Sequence, residues 1–358
     1  MKQETTSRKH KPAKRRPFRV HPFVLVLLAV GSLCFSAAAF MSAYFVPPSM
    51  AGTLTPPTAG DLNHESPDDG DDVSATAAPT GAPTAEGRQE GMYTVLLVGT
   101  EDNYNTDTMM FARLDTKNRT LNFISIPRDT KVSTDNRSLK KINAAYGSGK
   151  EKDDPEAGIE NLKKELATLI GFSPDCYAMV DIKAFKLLVD AIDGVEFDVP
   201  IDMYKVVDKG TINLKKGLQI LNGEQALGLV RYREYGANNK AGVDHDDFGR
   251  MQMQQRFLKA LAKQTLQLKN VFKVDEFIKI ANENLKTDLD VRSMGWFATE
   301  LMKLDAENIH FDTLPTDSRQ NAQYYVYVKP QEALAMINER INPFKEDITS
   351  ANVKHITQ

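Results

Sequence analysis

Four short segments concentrate side chains able to handle phosphate. The first is Gly99-Thr100-Glu101-Asp102-Asn103-Tyr104-Asn105-Thr106-Asp107-Thr108, which places Glu101, Asp102 and Asp107 within seven residues. Clustered hard oxygens suit Mg²⁺, which keeps part of its water shell and is completed by phosphate oxygens. On spacing alone the segment reads equally as a solvated acidic loop. The second is Ser125-Ile126-Pro127-Arg128-Asp129-Thr130, followed by Lys140-Lys141-Ile142-Asn143-Ala144-Ala145-Tyr146. It presents Arg128 and Asp129 at a proline-broken turn, a pairing that by itself is commonly a structural ion pair. The third is Arg231-Tyr232-Arg233. On an extended segment, arginines at i and i+2 share a face, and each guanidinium can grip a phosphate through two parallel hydrogen bonds. The fourth, Asp246-Asp247-Phe248-Gly249-Arg250, opens a long helical pattern. Gln254 follows Arg250 by one turn on the same helix face, near a helix start that attracts anions.

A scaffold able to position these segments is legible around them. Tyr93–Val98, closed by Gly99, is an apolar run suited to a buried strand. Thr108–Leu114 and Leu121–Ile126 flank the turn residues Asp115-Thr116-Lys117-Asn118 and predict an antiparallel hairpin. Apolar residues at 159, 162, 166, 169 and 170 mark a helix stopped by Gly171. A strand at Tyr177–Val180, a helix at Ala184–Ile192 and an edge-like strand at Val195–Val199 come next, the last stopped by Pro200. A long helix at Gly249–Gln267, helices near Val274–Leu285 and Ser293–Leu304, a strand near Ile309–Leu314 and a helix near Pro330–Ile341 complete the domain. Strands and helices mixed in this way predict an α/β fold, layered α/β/α around a mixed central sheet.

Charge is strongly segregated along the chain. Residues 1–20 carry eight Lys/Arg against Glu4, residues 21–60 carry no Lys, Arg, Asp or Glu, and residues 61–90 carry eight Asp/Glu against Arg88. The apolar stretch 23–46 is 24 residues long, and as a helix it would rise about 36 Å, enough to cross a bilayer core. The basic flank predicts a cytoplasmic N-terminus, residues 1–22, with everything from about Pro47 outside the cell membrane. Ala37-Ala38-Ala39 would suit a signal-peptide cleavage site, but the apolar stretch is longer than a typical signal core, which favours an uncleaved single-pass anchor. Residues 47–90 are rich in Pro, Ala, Thr, Gly and acids and predict a disordered extracytoplasmic linker. The catalytic domain is expected over 91–345, with a C-terminal tail at 346–358. A net charge of −3 offers no basis for nucleic-acid binding. Two cysteines, Cys34 and Cys176, are too few for a disulfide framework, and Cys176 is expected to be a buried small hydrophobe. Trp296 and Phe297 read as packing residues.

Taken in order, Ser125-Ile126-Pro127-Arg128-Asp129, Lys141-Ile142-Asn143-Ala144-Ala145-Tyr146, Asn222-Gly223…Ala226-Leu227…Arg231-Tyr232-Arg233 and Gly249-Arg250…Gln254-Gln255 resemble the LytR–CpsA–Psr family. Asp193-Gly194-Val195-Glu196 is similar to a helix-to-strand turn that in this family normally carries two glycines. The resemblance covers roughly 92–266. It implies a membrane-anchored extracytoplasmic phosphotransferase of Gram-positive envelopes. Such an enzyme moves an anionic glycopolymer (teichoic acid, capsular or related polysaccharide) from undecaprenyl pyrophosphate to a peptidoglycan hydroxyl. Mg²⁺, or Mn²⁺ in its place, would assist, and the prenyl tail would lie in an apolar pocket between sheet and helices.

By that resemblance Arg128, Lys141, Arg231, Arg233 and Arg250 would clamp the pyrophosphate, with Gln254 as a neutral donor. Arg128, Asp129, Arg231 and Arg233 would stand at the reacting centre, and Glu101, Asp102 and Asp107 would hold the metal. Asp129 either orients Arg128 or serves as base toward the acceptor. Orientation is favoured, because a carboxylate beside a guanidinium is a weak base. Three positions depart from the family pattern: Glu101 stands where the first acid of the metal loop is usually Asp, Asn105 where an Arg is common, and Met253 where an Arg usually follows Gly-Arg. Two other activities would use the same residues: a prenyl-pyrophosphate phosphatase, with water as acceptor, and a non-catalytic prenyl-phosphate-binding regulator.

Overall fold

The structure is a computed structural model that describes residues 45–48, 87–100, 106–132, 140–148, 155–207, 210–232, 247–266, 274–318 and 325–355. The chain divides into two units, Met1–Val46 and Pro47–Gln358, and every described strand and helix belongs to the second. The expected membrane span lies outside the described residues apart from Phe45 and Val46. Among the described residues no helix is long and apolar enough to cross a membrane.

Six strands form the central sheet: β1 (Met92–Thr100), β2 (Thr106–Asp115), β3 (Thr120–Ser125), β4 (Cys176–Asp181), β9 (Leu285–Thr287) and β10 (Ile309–Thr313). Their order is β10-β3-β2-β1-β4-β9. β1 is antiparallel to β2 and parallel to β4, β2 is antiparallel to β3, and β3 is parallel to β10. Thus β1, β3, β4 and β10 all run one way. The expected hairpin is β2–β3. Its turn is held by the Asp115 carboxylate, which accepts from Lys117 N and Asn118 N at 2.9 Å each.

Alternation along β1 sends Leu96 and Val98 to one face of the sheet. There they join Met109, Phe111 and Ile124 beneath α1 (Ala144–Ser148), α2 (Pro155–Ile170) and α8 (Pro330–Arg340). Tyr93 and Val95 face the other way, toward α5 (Asp247–Thr265) and α7 (Val291–Leu301). The three layers are the expected α/β/α arrangement. Trp296 and Phe297 pack against Tyr93, with ring centroids 4.6 and 6.1 Å away. Cys176 is buried, and burial pushes its thiol up and away from reactivity.

A second, smaller core lies beside the sheet. α3 (Ile182–Ala191), α4 (Gly223–Arg231) and α5 pack there against β5 (Val195–Val199), β6 (Met203–Val207), β7 (Gly210–Leu214) and β8 (Gly217–Leu221). These strands form two hairpin-like ribbons, β5–β8 and β6–β7. The Asp193-Gly194 turn enters β5 with both residues left-handed, at φ 64° and 85°. Asp tolerates that conformation where most side chains do not, so one glycine of the usual pair is replaceable. Gly194 is not, because a Cβ there would lie 2.8 Å from the Leu221 carbonyl. After α6 (Val274–Asn284), β11 (Thr316–Ser318) pairs with β12 (Val326–Val328).

Packing reaches beyond both expected boundaries of the domain. Arg88 donates to the fully buried carboxylate of Asp175 and to Met92 O, and Asp175 also accepts from Thr94 N and Oγ1 at 2.7 and 2.9 Å. At the other end Ile348 sits in the main core against Gly171, where α2 turns left-handed, and His355 Nε2 lies 2.8 Å from Leu169 O.

Arg88→Ala leaves the buried Asp175 without its cation and should cost about 3–5 kcal/mol. Urea unfolding measures this, and a loss below about 1 kcal/mol would show that Arg88 does not belong to the folded unit. Burial pushes the His355 imidazole below its ordinary value. The unfolded chain therefore takes up that proton first as pH falls below about 6.5. The wild type should lose stability relative to His355→Gln between pH 7 and pH 5. Parallel stability–pH curves for the two would refute this.

Candidate active site

The site forms where the parallel strands end. β1 stops at Thr100, β3 at Ser125 and β4 at Asp181, while antiparallel β2 begins at Thr106, so all four termini meet at one edge of the sheet. Loops at carboxyl strand ends are free of ladder hydrogen bonding and can present side chains. Immediately after β3, the turn at residues 127–130 is pinned on two sides. Ile142 N donates to Thr130 O at 2.9 Å and Asn143 N to Arg128 O at 3.2 Å. From the other side, Val326 N donates to Asp129 O at 3.0 Å and Lys131 N to Val326 O at 2.8 Å.

That clamp sets up a chain of alternating charge. Lys141 Nζ lies 2.8 Å from Asp129 Oδ1, Asp129 Oδ2 lies 3.6 Å from Arg128 Nε, and Arg128 Nη1 lies 3.2 Å from Asp107 Oδ1. Arg128, Asp129 and Lys141 side chains are 17–25% exposed, whereas Asp107 is 41% exposed. Asp129 thus bridges two cations, the geometry of an orienting carboxylate.

Asp107 opens onto a cavity of about 220 Å³ whose polar wall includes Thr100, Asp181, Arg231 and Gln254. The remaining wall is apolar and includes Leu97, Phe185, Leu227, Val230 and Phe257. A second cavity of about 300 Å³ lies farther along the same sheet face, between Val95, Ala112 and Ala178 on the strands and Ile278, Phe297 and Ala298 on α6 and α7. Leu97 of β1 borders both. Arg231 on the wall of the first, with the Asp107–Arg128 pair beside it and hydrocarbon around Leu97, would accept an amphiphile with an anionic head and a long apolar tail.

Arg231 departs from the extended reading of its segment, because it is the last residue of α4. The helix forms because Asn222 and Gln225 make a capping box and Ala226, Leu227 and Leu229 share a buried face. Among the described residues of that segment, Tyr232 is the extended one. The carboxamide of Gln254 donates to Val230 O at 3.3 Å, beside Arg231. Its neighbour Gln255, which the sequence singles out only as part of a motif, has its Nε2 within 3.1 Å of Ser125 Oγ, Asp312 O and Thr313 Oγ1. The Gln-Gln pair therefore staples α5 to the end of α4 on one side and to the ends of β3 and β10 on the other. This holds Arg231 near the Arg128 turn.

The chain matches the LytR_cpsA_psr family over residues 61–342. It belongs to that family. It is similar to the polyisoprenyl-teichoic acid–peptidoglycan teichoic acid transferase TagV of Bacillus subtilis (strain 168), 33% identical over 211 residues that cover 56% of this chain and 50% of TagV. It is also similar to the cell wall biosynthesis protein LcpA of Corynebacterium glutamicum (strain ATCC 13032), 31% identical over 247 residues that cover 63% and 45% of the two chains. The chain spans about half the length of these curated relatives. The crystal structure of B. subtilis TagV superposes with a TM-score of 0.58 at 25% identity, covering 70% of this chain and 96% of that one.

Within this LytR_cpsA_psr member, Asp107, Arg128, Asp129, Lys141, Arg231 and Gln254 are brought to one end of the sheet. Arg250 lies in the first turn of α5. Glu101, Asp102, Asn105 and Arg233 lie outside the described residues. Met253, at the third departure from the family pattern, is 5% exposed in the smaller core, so packing takes the place of a charge there. Sequence reasoning misses Asp181, which stands at the cavity wall. Its signal is local, since it caps α3 by accepting from Ala184 N at 2.7 Å.

Asp129→Asn removes the charge between Arg128 and Lys141. It should lower stability by about 1–3 kcal/mol, less than for a fully buried pair. Inorganic pyrophosphate should raise the variant's melting temperature more than the wild type's. An equal shift in both would show that the two cations do not face a common anion.

Proposed function

We propose that this chain moves an anionic glycopolymer from undecaprenyl pyrophosphate to a peptidoglycan hydroxyl at the outer face of the cell membrane. One observation carries the reading: Arg231 and Asp107, the latter paired with Arg128, stand on the wall of a cavity whose apolar side reaches Leu97, which a second, hydrocarbon-lined cavity shares. A prenyl pyrophosphate has that same division. The activity named for the relative TagV, transfer of polyisoprenyl-linked teichoic acid to peptidoglycan, agrees with it. The anchor expected at 23–46 and the linker expected after it would hold the domain near a donor that is itself embedded in the bilayer.

In this reading Arg128, Lys141 and Arg231, with Arg233 and Arg250, surround the non-bridging oxygens of the pyrophosphate. The acceptor oxygen displaces prenyl phosphate at the phosphorus nearest the glycan. Charge develops on the phosphate oxygens in the transition state, and fixed guanidinium groups stabilise it without rearranging. Asp129 holds Arg128 and Lys141 in place.

Asp107 has the chemistry of a Mg²⁺ ligand, since its carboxylate is partly exposed, lines the cavity, and has only Oδ1 engaged among the described residues. Glu101 or Asp102 would join it. A bound Mg²⁺ would neutralise part of the pyrophosphate charge.

The test combines the full chain with a lipid-pyrophosphate saccharide, Mg²⁺ and a peptidoglycan oligomer. The linked product is expected, with Arg128→Ala and Asp107→Ala each lowering turnover by about 100-fold or more while circular dichroism stays unchanged. Release of free saccharide phosphate without linkage would identify a phosphatase, and binding without turnover a regulator.

A further inference from the structure

A second polar cavity, of about 320 Å³, opens against the first. The two share Asp181, Ile182, Leu227 and Arg231, and the second is completed by Lys183, Lys186 and Glu224. It is therefore a wedge between the start of α3 and the start of α4. Gly223 lies beside it, next to Glu224 in the chain and against the backbone of Lys186. A Cβ at that position would lie 2.5 Å from Lys186 O and 2.7 Å from Lys186 Cα, so only glycine lets α4 approach α3 this closely. Gly223 N donates to Asp190 Oδ1 at 2.7 Å and fixes the approach. The family motif Asn222-Gly223 thus lies beside this wedge as well as starting the helix that ends in Arg231.

The wedge holds three cationic side chains against two carboxylates. Asp181 is occupied in capping α3. Lys186 Nζ lies 2.9 Å from the largely exposed Glu224. Lys183 is exposed and has no ion pair among the described residues. Arg231 stands on the wall common to both cavities. An anion placed here would share Arg231 with a pyrophosphate in the first cavity, whereas the hydrocarbon-lined cavity meets the first at Leu97 and shares no residue with the wedge.

We propose that this wedge is a subsite for the anionic group of the glycopolymer nearest its pyrophosphate, a phosphodiester or a carboxylate, with Lys183 and Lys186 as its cations. The proposal rests on the transferase reading and adds to it a determinant of donor choice. The site selects for charge on the polymer and not for the lipid. Its contribution falls with rising salt, because both lysines are reachable by solvent.

The experiment uses the full chain with three probes: a prenyl pyrophosphate without sugar, a lipid-pyrophosphate disaccharide without further charge, and that disaccharide extended by glycerol phosphate units or by a uronic acid. Lys183→Ala/Lys186→Ala should bind the first probe as the wild type does. It should turn over the second within about twofold and lose about tenfold or more in kcat/KM on an extended donor. Lys183→Arg/Lys186→Arg should restore the loss. The two extensions identify which anion is preferred. Equal losses on neutral and charged donors, or no loss on either, overturn the subsite and leave the transferase reading intact. A wild-type chain that does not bind the sugar-free probe would instead defeat the reading on which the proposal rests.

Discussion

Like charges repel, and the site of this protein is organised around containing that repulsion. Lys141 and Arg128 stand on either side of one carboxylate, Asp129, and Arg128 reaches a second carboxylate at Asp107. Such an arrangement keeps cations close together without a ligand, and through Asp107 it reaches the cavity wall. It also explains why the surrounding backbone is tied so firmly. The turn at 127–130 is hydrogen-bonded to the 142–143 segment on one side and to Val326 on the other, because a loosely held turn would let the charges spread apart. The value of fixed charge in phosphoryl transfer is that no reorganisation is needed when the transition state forms.

The apolar part of the site is a consequence of the fold. One face of the sheet is filled by the tightly packed layer of α1, α2 and α8. The other face is only partly filled by α5, α6 and α7, and the space left over is the hydrocarbon-lined cavity. Because β1 alternates, Leu96 and Val98 belong to the filled face and Leu97 to the open one. A single strand in this way contributes to core stability and to the binding cavity with adjacent residues.

Much of this is legible in the residues themselves. The β2–β3 hairpin, the helix ended by Gly171 and the long helix after Gly249 follow from periodicity and turn chemistry, which are local properties. The segment before Arg231 is harder. Its Leu-Gly-Leu-Val run carries no strong periodic signal, and the capping box at Asn222 and Gln225 is what settles it as a helix. Gln255 stands out in the sequence only for its place in a motif, and Asp181 does not stand out at all. The importance of both comes from what lies opposite them, the ends of β3 and β10 for Gln255 and the cavity for Asp181.

Sequence alone determined the residue types, their order, the alternation of each strand, the segregation of charge at the N-terminus and the family to which the chain belongs. These are properties of neighbours along the chain, and short-range sterics and burial act on neighbours. Only the tertiary structure decided that residues 107, 128, 141, 231 and 254 share one end of a sheet, that a hydrocarbon-lined cavity meets the site at Leu97, and that a glycine at 223 lets two helices close up beside a polar wedge. Those are distances between segments far apart in sequence, set by how layers pack, and no local pattern encodes them.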